Sequence, residues 1–489
     1  MTSLTKIPSA EPSMDLVVLG GGPAGLAAAW EAAHCGMRVM VVEREAVLGG
    51  LCATIERDGF RFDLGGHRIV SKRASLVTRI RELMGDALEE RTRESVIALD
   101  GQRFAYPLVA SELVQKLSPV VLARALADYG AERVRDRWDP SRGERDFRAW
   151  VTQRFGRTLY DLFFGPYTEK LWGLPATELS SDWAAQRISL LNLADVGLRL
   201  LGARKGGART YARRYLYPTG GIGVLFERLV ARLRAQGVQF VTHAEVCGFT
   251  RDLSGRVTAV QLSDGAHGRR EVRTGAVVST AALGQCAQWV RPDDLQIRRD
   301  YKSLRHRGLR FLNVMLDGPG PVLGATWMYV SDPSLIMTRV QEPAARSPSM
   351  TPRGCASLML EIPADPGDAH WNASDPALAQ RALGDLVRLG IDVRGRVRGV
   401  FSSRTAQAYP VYRVGYHTAR DALLQVCSEP ANLWTLGRQG LFRYVFMDTA
   451  MEMGFAAVRA IAKGAQSDPG VMLAIDNNPT VHEVQNVLG

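Results

Sequence analysis

The chain has 489 residues, 46% of them hydrophobic and 23% charged, with a formal net charge of +11. That length holds two or three compact units with sizeable cores, and the composition is ordinary for a soluble globular enzyme. No uninterrupted apolar run is long enough to span a bilayer, and six scattered cysteines without a C-x-x-C pair argue against a zinc site or a disulfide framework.

In chain order, "MTSLTKIPSAEPS" lacks the apolar core of a secretion signal and reads as a disordered lead, residues 1–13. Asp15 to Leu19 read as a buried parallel strand that stops at three glycines. Gly20, Gly22 and Gly25 fit G-x-G-x-x-G, followed by a helix of small residues from Ala24 to Ala33. Gly20 permits a tight turn, Gly22 lets the backbone approach a pyrophosphate, and Gly25 lets helix and strand pack closely. The pyrophosphate would rest on N–H groups at the positive end of the helix dipole. A second strand, Met37 to Val42, ends at Glu43, about 20 residues on, where a ribose-binding carboxylate is expected.

Further bare-backbone turns follow at Gly49-Gly50 and Gly65-Gly66. From about 75 to 200 the pattern is amphipathic and helical, as in "ASLVTRIRELMG" and "DFRAWVTQRFGRTLYDLFFGPYTEKLWG". The run "GARKGGARTYARRY" reads either as an anion-gathering lid or as a solvated loop. After a turn and a helix ending at Gly237, "VQFVTHAEVCGFTRD", "RVTAVQLSDG" and "REVRTGAVVSTAA" form a meander of strands. More strands are expected from about 303 to 365, then a helix in "SDPALAQRALGDLVRLG" with Ser374 as N-cap. A strand, a glycine turn and a long helix in "NLWTLGRQGLFRYVFMDTAMEMGFAAVRAIAKG" close the fold, and a polar, loosely held tail follows from 466. The architecture is an α/β, Rossmann-like dinucleotide domain that the chain leaves and re-enters, interleaved with a helical insertion and a sheet-rich substrate domain. The dinucleotide parts are 14–72, 215–300 and 431–465, the helical cap is 73–214, the sheet-rich domain 301–430 and the tail 466–489.

Several segments together resemble the flavoprotein superfamily of UDP-galactopyranose mutase, protoporphyrinogen oxidase and the amine oxidases. They are the glycine motif with Glu43, Gly49-Gly50 and "DLGGH". The segment "FGRTLYDLFFGPYTEKLWGLPATELSSDWAAQRI" is similar to the mutase branch, as are "SLRHRGLRF", "MTRVQE", "AYPVY" and "GRQGLFRYVFMD". The resemblance implies FAD, in a domain of the GR2 type. It places Gly20, Gly22, Gly25 and Glu43 on the ADP half, Gly50, Gly66, Arg438 and Asp448 on the pyrophosphate and flavin side, and His67 near the reactive N5. Tyr167, Thr168 and Trp172 would line a nucleotide-base pocket, and Arg187, Arg307, Tyr409 and Tyr444 would surround a substrate diphosphate. His67, Arg187 and Arg307 are thus the catalytic candidates, and no metal is expected.

The implied reaction is a pyranose/furanose ring change on a UDP-linked sugar, with reduced flavin N5 as nucleophile and an external reductant. Fixed arginines would stabilise the departing diphosphate. The alternative is an oxidoreductase of the protoporphyrinogen oxidase or amine oxidase type, removing hydride from an amine, porphyrinogen, polyene or sugar carbon, or another anionic substrate, and passing electrons to oxygen or another acceptor. By residue type alone Tyr167 and Trp172 also read as core, Arg187 and Arg307 as partners of surface carboxylates, and His67 as a satisfied turn residue. Gly65-Gly66-His67-Arg68 replaces the mutase Gly-Pro-His, Phe442 stands where tyrosine is common, and 343–403 is long, as in the oxidase-like branch. The basic balance favours a small anionic partner over nucleic acid, for which no motif is present. A cytoplasmic protein without a membrane span is expected, and a homodimer is left open.

Overall fold

The computed structural model describes residues 13–71, 73–99, 101–106, 110–187, 214–265 and 268–477, with the backbone alone for Ala110, Ser111, Arg187 and Asn477. The expected lead up to Glu11-Pro12, most of the "GARKGGARTYARRY" run, the end of the tail and the Arg187 side chain fall outside the described residues. The chain divides into two compact units. One takes the residues up to Ala53, Leu225–Leu304, and the described chain from His417 on; the other takes Thr54–Val224 and Arg305–Tyr416.

The first unit is built on five parallel strands in the order Leu433–Thr435, the second half of Gly268–Ser279, Met14–Leu19, Val39–Val42 and Gln239–Val241. "DLVVL", "VMVV" and "AVV" are continuous apolar runs because such strands are covered on both faces, and Val17, Val18, Val41, Val277 and Val278 are fully buried. The first half of Gly268–Ser279 continues outward into an antiparallel meander with Val257–Asp264 and Ala244–Arg251. The stretch "VQFVTHAEV" therefore contributes to both parts. His243, at φ 54°, ends one strand and turns the chain into the next.

Helix Pro23–His34 covers the sheet. Its small residues let helix Met447–Ala462 approach closely: a Cβ on Gly454 would lie 2.3 Å from the Ala24 carbonyl oxygen. The second strand begins at Val39, two residues later than the sequence pattern indicates. The Met37 amide instead bonds back to the Ala32 carbonyl (3.0 Å) and closes the helix end around Gly36, at φ 74°. The tail also departs from expectation. Pro469–Asn477 is a helix, anchored by fully buried Met472 and by an Arg443–Asp476 ion pair (2.5 Å).

The second unit holds a seven-stranded sheet in the order Val397–Pro410, His306–Asp317, Cys355–Pro363, Arg339–Gln341, Trp327–Val330, Ser95–Leu99 and Gln102–Ala105. The last two strands correct the all-helical expectation for 75–200. "SVIAL" and "QRFA" form an antiparallel hairpin, with Gly101 at φ 74°, and Ser95–Leu99 joins Trp327–Val330 in parallel. A hairpin Thr54–Arg57/Phe60–Asp63 also belongs here, so the first stretch of the first compact unit ends at Ala53. Leu312, Val314, Leu358, Leu360 and Ile362 from the sheet pack on Leu378, Ala382 and Leu386 of helix Asp375–Arg388. Each such fully buried aliphatic side chain contributes about 1.5–3 kcal/mol. Ser374 caps that helix by accepting from the Ala377 amide (3.4 Å). The helical part includes Phe147–Phe155, a π-helical turn Tyr160–Phe164, Gly165–Trp172 and Ser181–Arg187.

Candidate active site

In the first unit the glycine turn separates two kinds of constraint. Gly20 has φ 103° and a Cβ there would sit 2.1 Å from Thr280 Oγ1; one on Gly25 would sit 2.0 Å from the Gly20 carbonyl oxygen. The protein's own packing requires those two glycines. Gly22 is different. Its φ of −82° and ψ of −176° suit any residue, and a Cβ would meet nothing nearer than Gly50 Cα at 3.9 Å. Nothing within the chain requires glycine at 22, which fits the task of the second glycine beside a pyrophosphate. Gly50, at φ 54°, closes the opposite wall, and the Gly49 amide bonds to the Gly21 carbonyl (2.8 Å).

Glu43 Oε2 accepts from the Gly21 amide (2.7 Å) and Oε1 from the Glu45 amide (2.9 Å), so the carboxylate is aimed from the end of its strand. Arg438 donates to the Val445 carbonyl (3.1 Å) and lies 4.3 Å from the centre of the Tyr444 ring. Asp448 is buried in the first turn of helix Met447–Ala462. Phe442 between them holds a positive φ of 47°, a strained conformation for an aromatic residue. These residues fit a dinucleotide: open backbone for the pyrophosphate, a helix N-terminus and an aimed carboxylate. Tyr444 belongs to this group with Arg438.

In the second unit, three neighbouring strands align Tyr329, Arg339 and Glu361, each directly opposite the next. The Arg339 guanidinium lies 5.5 Å from the Tyr329 ring centre and 3.1 Å from Glu361, whose carboxylate also accepts from Gln341 Nε2 (2.5 Å). Arg339 Nε is buried with no hydrogen-bond partner among the described residues. The aromatic run continues on either side. Tyr167 meets Tyr329 edge-on at 5.9 Å, Tyr106 meets it at 4.8 Å, and Arg93 lies over both Tyr106 (4.9 Å) and Trp327 (5.7 Å). Arg68 lies 5.2 Å over the same Trp327 ring.

Burial pushes the Tyr167 hydroxyl well above the usual tyrosine range against the pull of Arg339, so it stays a donor. Burial disfavours the charge on Arg339, but Glu361 and the surrounding tyrosines more than offset that, and its pKa is held well above the ordinary value. Burial likewise raises Glu361, with Arg339 and Arg346 opposing. Beneath this group, fully buried Arg346 bonds to Gln341 Oε1 (2.6 Å) and pairs with Asp63 (3.4 Å), which also accepts from the Tyr217 hydroxyl. The "DLGGH" turn sits on it: a Cβ at Gly66 would lie 2.4 Å from Arg339 Nη1, and the His67 ring nitrogen Nε2 is 3.1 Å from the Leu64 carbonyl oxygen.

The expected diphosphate clamp is arranged differently. Arg307 Nε donates to the Leu171 carbonyl (2.7 Å) and Nη1 pairs with Asp365 (2.8 Å), so it ties the end of helix Gly165–Trp172 to its strand. Tyr409 is directly opposite it in the sheet. Trp172 is only 1% exposed, edge-on to Trp183 (4.6 Å) and Tyr409 (5.9 Å), and Thr168 is buried beside it on the same helix. Arg187 closes helix Ser181–Arg187; its side chain is outside the described residues. Arg339, Arg68, Arg93 and Tyr329 are candidate site residues that the sequence motifs do not single out. "MTRVQE" carried the signal for the first: an arginine in a short buried strand must have a built partner.

A family model for flavin-containing amine oxidoreductases matches residues 23–462. The chain belongs to that family, and its cofactor is FAD. Among curated proteins, coproporphyrinogen III oxidase of Propionibacterium freudenreichii is 28% identical over 57% of this chain. The match spans 58% of that oxidase, less than two thirds of its length. Carotenoid 3,4-desaturase of Haloarcula japonica is 22% identical over 78% of this chain and 83% of its own. Among solved structures, a reduced UDP-galactopyranose mutase superposes with a TM-score of 0.81 at 19% identity, covering 97% of this chain and 100% of that one. A protoporphyrinogen oxidase from Exiguobacterium superposes at 0.67, also with 19% identity, covering 92% and 98%. At those identities the likeness is one of fold. Among the described residues no helix is long and apolar enough to cross a membrane.

Proposed function

We propose that this FAD-dependent enzyme acts on an anionic substrate, a nucleotide-diphosphate-linked sugar, as a pyranose/furanose mutase of the UDP-galactopyranose mutase type. The observation that carries the reading is the group of three arginines: Arg339 lies against the run of Tyr106, Tyr329 and Tyr167, Arg68 lies over Trp327, and Arg93 bridges Trp327 and Tyr106. An apolar polyene would gain nothing from three clustered guanidinium groups, and Arg339 keeps its Nε without a hydrogen-bond partner among the described residues although Glu361 balances its charge. A diphosphate would, and flat rings suit a base or sugar face.

FAD, when reduced, supplies the nucleophile that such a ring change needs. The chain's own part is to bind and orient. Arg339 keeps its positive charge in a water-poor setting, so it offers a preorganised partner to charge developing on a departing diphosphate. Tyr167 remains protonated and donates a hydrogen bond. Glu361 holds the guanidinium in place. In the first unit Gly22, Gly50, Glu43, Arg438 and Asp448 would hold the cofactor, while Gly66 and His67 would act from the turn resting on Arg339.

The second reading, an oxidoreductase, is favoured by the family match and by relatives that are oxidases and desaturases. Isothermal titration of the FAD-loaded protein with UDP tests the anion site directly. The mutase reading expects binding that Arg339→Met weakens by about 10–100-fold, the loss of a charged hydrogen-bond partner. UDP binding equally well to both proteins would return Arg339 to a structural role.

A further inference from the structure

Ten large apolar side chains stand exposed among the described residues, and five of them lie between Val114 and Trp138. They centre on helix Pro119–Arg135 in the second unit. At about 100° per residue, exposed Val120, Ala123, Ala127, Gly130, Ala131 and Val134 fall within about 100° of arc. Val120 is 78% exposed, Val134 57%, and Trp138, just beyond the helix, 86%. The helix is not a failed core element, because its other side is satisfied: Ala125 is buried and Ser118 caps its start.

The charges are sorted as well. Arg124 and Arg135 border the apolar strip on one side and Arg133 on the other, with Arg137 beside Trp138. The acids turn inward. Asp128 accepts from the Thr158 amide (3.0 Å) and hydroxyl (2.6 Å). Glu132 is buried and takes Arg135 (2.6 Å) and Arg142, and Asp136 takes Arg142 (3.1 Å) and Arg133 (3.7 Å), so of the four arginines Arg124 and Arg137 carry the uncompensated charge. Asp139, bonded to the Ser141 hydroxyl, is the exception. Neither Arg124 nor Arg137 has a carboxylate partner among the described residues.

We propose that helix Pro119–Arg135 with Trp138 docks flat on the surface of an anionic lipid bilayer. An apolar strip edged by arginines, ending in an exposed tryptophan, fits the boundary between acyl chains and headgroups, where arginine stems lie along the strip and guanidinium groups reach phosphate. The helix has 17 residues, about 25 Å, and lies on the membrane without crossing it. A second copy of the chain is a poorer occupant, since strips bordered by arginine on both sides would meet with like charges. The proposal is independent of the reaction assigned above.

The test is flotation of the FAD-loaded protein with vesicles of phosphatidylcholine alone or with about a third phosphatidylglycerol. The proposal expects binding to the anionic vesicles and little to the neutral ones, reduced by raised salt. The triple variant Val120→Asp, Val134→Asp, Trp138→Ser should bind on the order of tenfold or more weaker, with unchanged flavin content and melting temperature because all three positions are exposed. Binding to neither vesicle, or equal binding by the triple variant, overturns it. So does a mass by light scattering that falls from dimer to monomer in the variant while vesicles are ignored, which would assign the strip to a second copy.

Discussion

Arg339 and Glu361 face each other from adjacent antiparallel strands, 3.1 Å apart, with the carboxylate buried and the guanidinium half-buried. Removing one partner of such a pair leaves a charge without compensation and costs about 3–5 kcal/mol. Glu361→Leu should therefore lower the melting temperature sharply, whereas Glu361→Gln, which keeps a hydrogen-bond acceptor for Arg339, should cost less. A differential scanning comparison of the two variants checks this; equal, small shifts would contradict it.

The two classes of glycine give a second prediction. Gly25→Ala drives a Cβ to 2.0 Å from the Gly20 carbonyl oxygen and should destabilise the fold. Gly22→Ala has room in the protein alone, so the apoprotein should keep its stability while FAD affinity falls by about tenfold or more, because the methyl group occupies the line of pyrophosphate approach. Flavin absorbance after purification and a melting curve of each apoprotein separate the outcomes. Full flavin content in Gly22→Ala would remove the pyrophosphate from this turn.

Gly66 tests whether the "DLGGH" turn serves the cofactor or the anion site. A Cβ there displaces Arg339 Nη1, since it would stand 2.4 Å away. Gly66→Ala should weaken UDP binding with flavin content retained. Flavin loss with UDP binding intact would place the turn on the cofactor side.

Lys170 supplies a pH dependence. Burial, only partly opposed by Asp332 and Asp385, lowers its pKa to about 7, and its amine donates to the Val330 (3.2 Å) and Asp332 (2.9 Å) carbonyls. Below pH 10.5 the unfolded chain takes up a proton that the folded chain refuses until about pH 7, so the lysine destabilises the fold increasingly as pH falls through that window. Wild type should thus gain stability relative to Lys170→Met as pH rises from 7 to 10. Thermal midpoints of both proteins at the two ends of the window check it; parallel curves would contradict it.

Much of the first unit is legible in the sequence because its signals are local. A strand, a glycine turn and a helix of alanines lie side by side, and Glu43 bonds to Gly21 from one strand away. The proposed anion site is less so, because Arg68, Arg93, Arg339 and Tyr329 come together only through tertiary packing, and the hairpin Ser95–Leu99/Gln102–Ala105 lies in a stretch whose flanks read as helical. Arg307 shows the converse. Its motif is legible, but which partner it takes depends on Asp365, 58 positions away, and on the helix end at Leu171. Trp172 follows the core reading of its spacing, packed by Trp183 and Tyr409.

The most direct test of the central claim is turnover of UDP- and TDP-hexopyranoses by the dithionite-reduced protein under anaerobic conditions, read by chromatography and mass spectrometry. An isomer of equal mass is expected from the reduced protein, none from the oxidised protein, and lower turnover in His67→Ala with nucleotide affinity largely kept. A substrate that bleaches the oxidised flavin stoichiometrically and leaves a product lighter by two hydrogens would contradict it and establish the oxidoreductase.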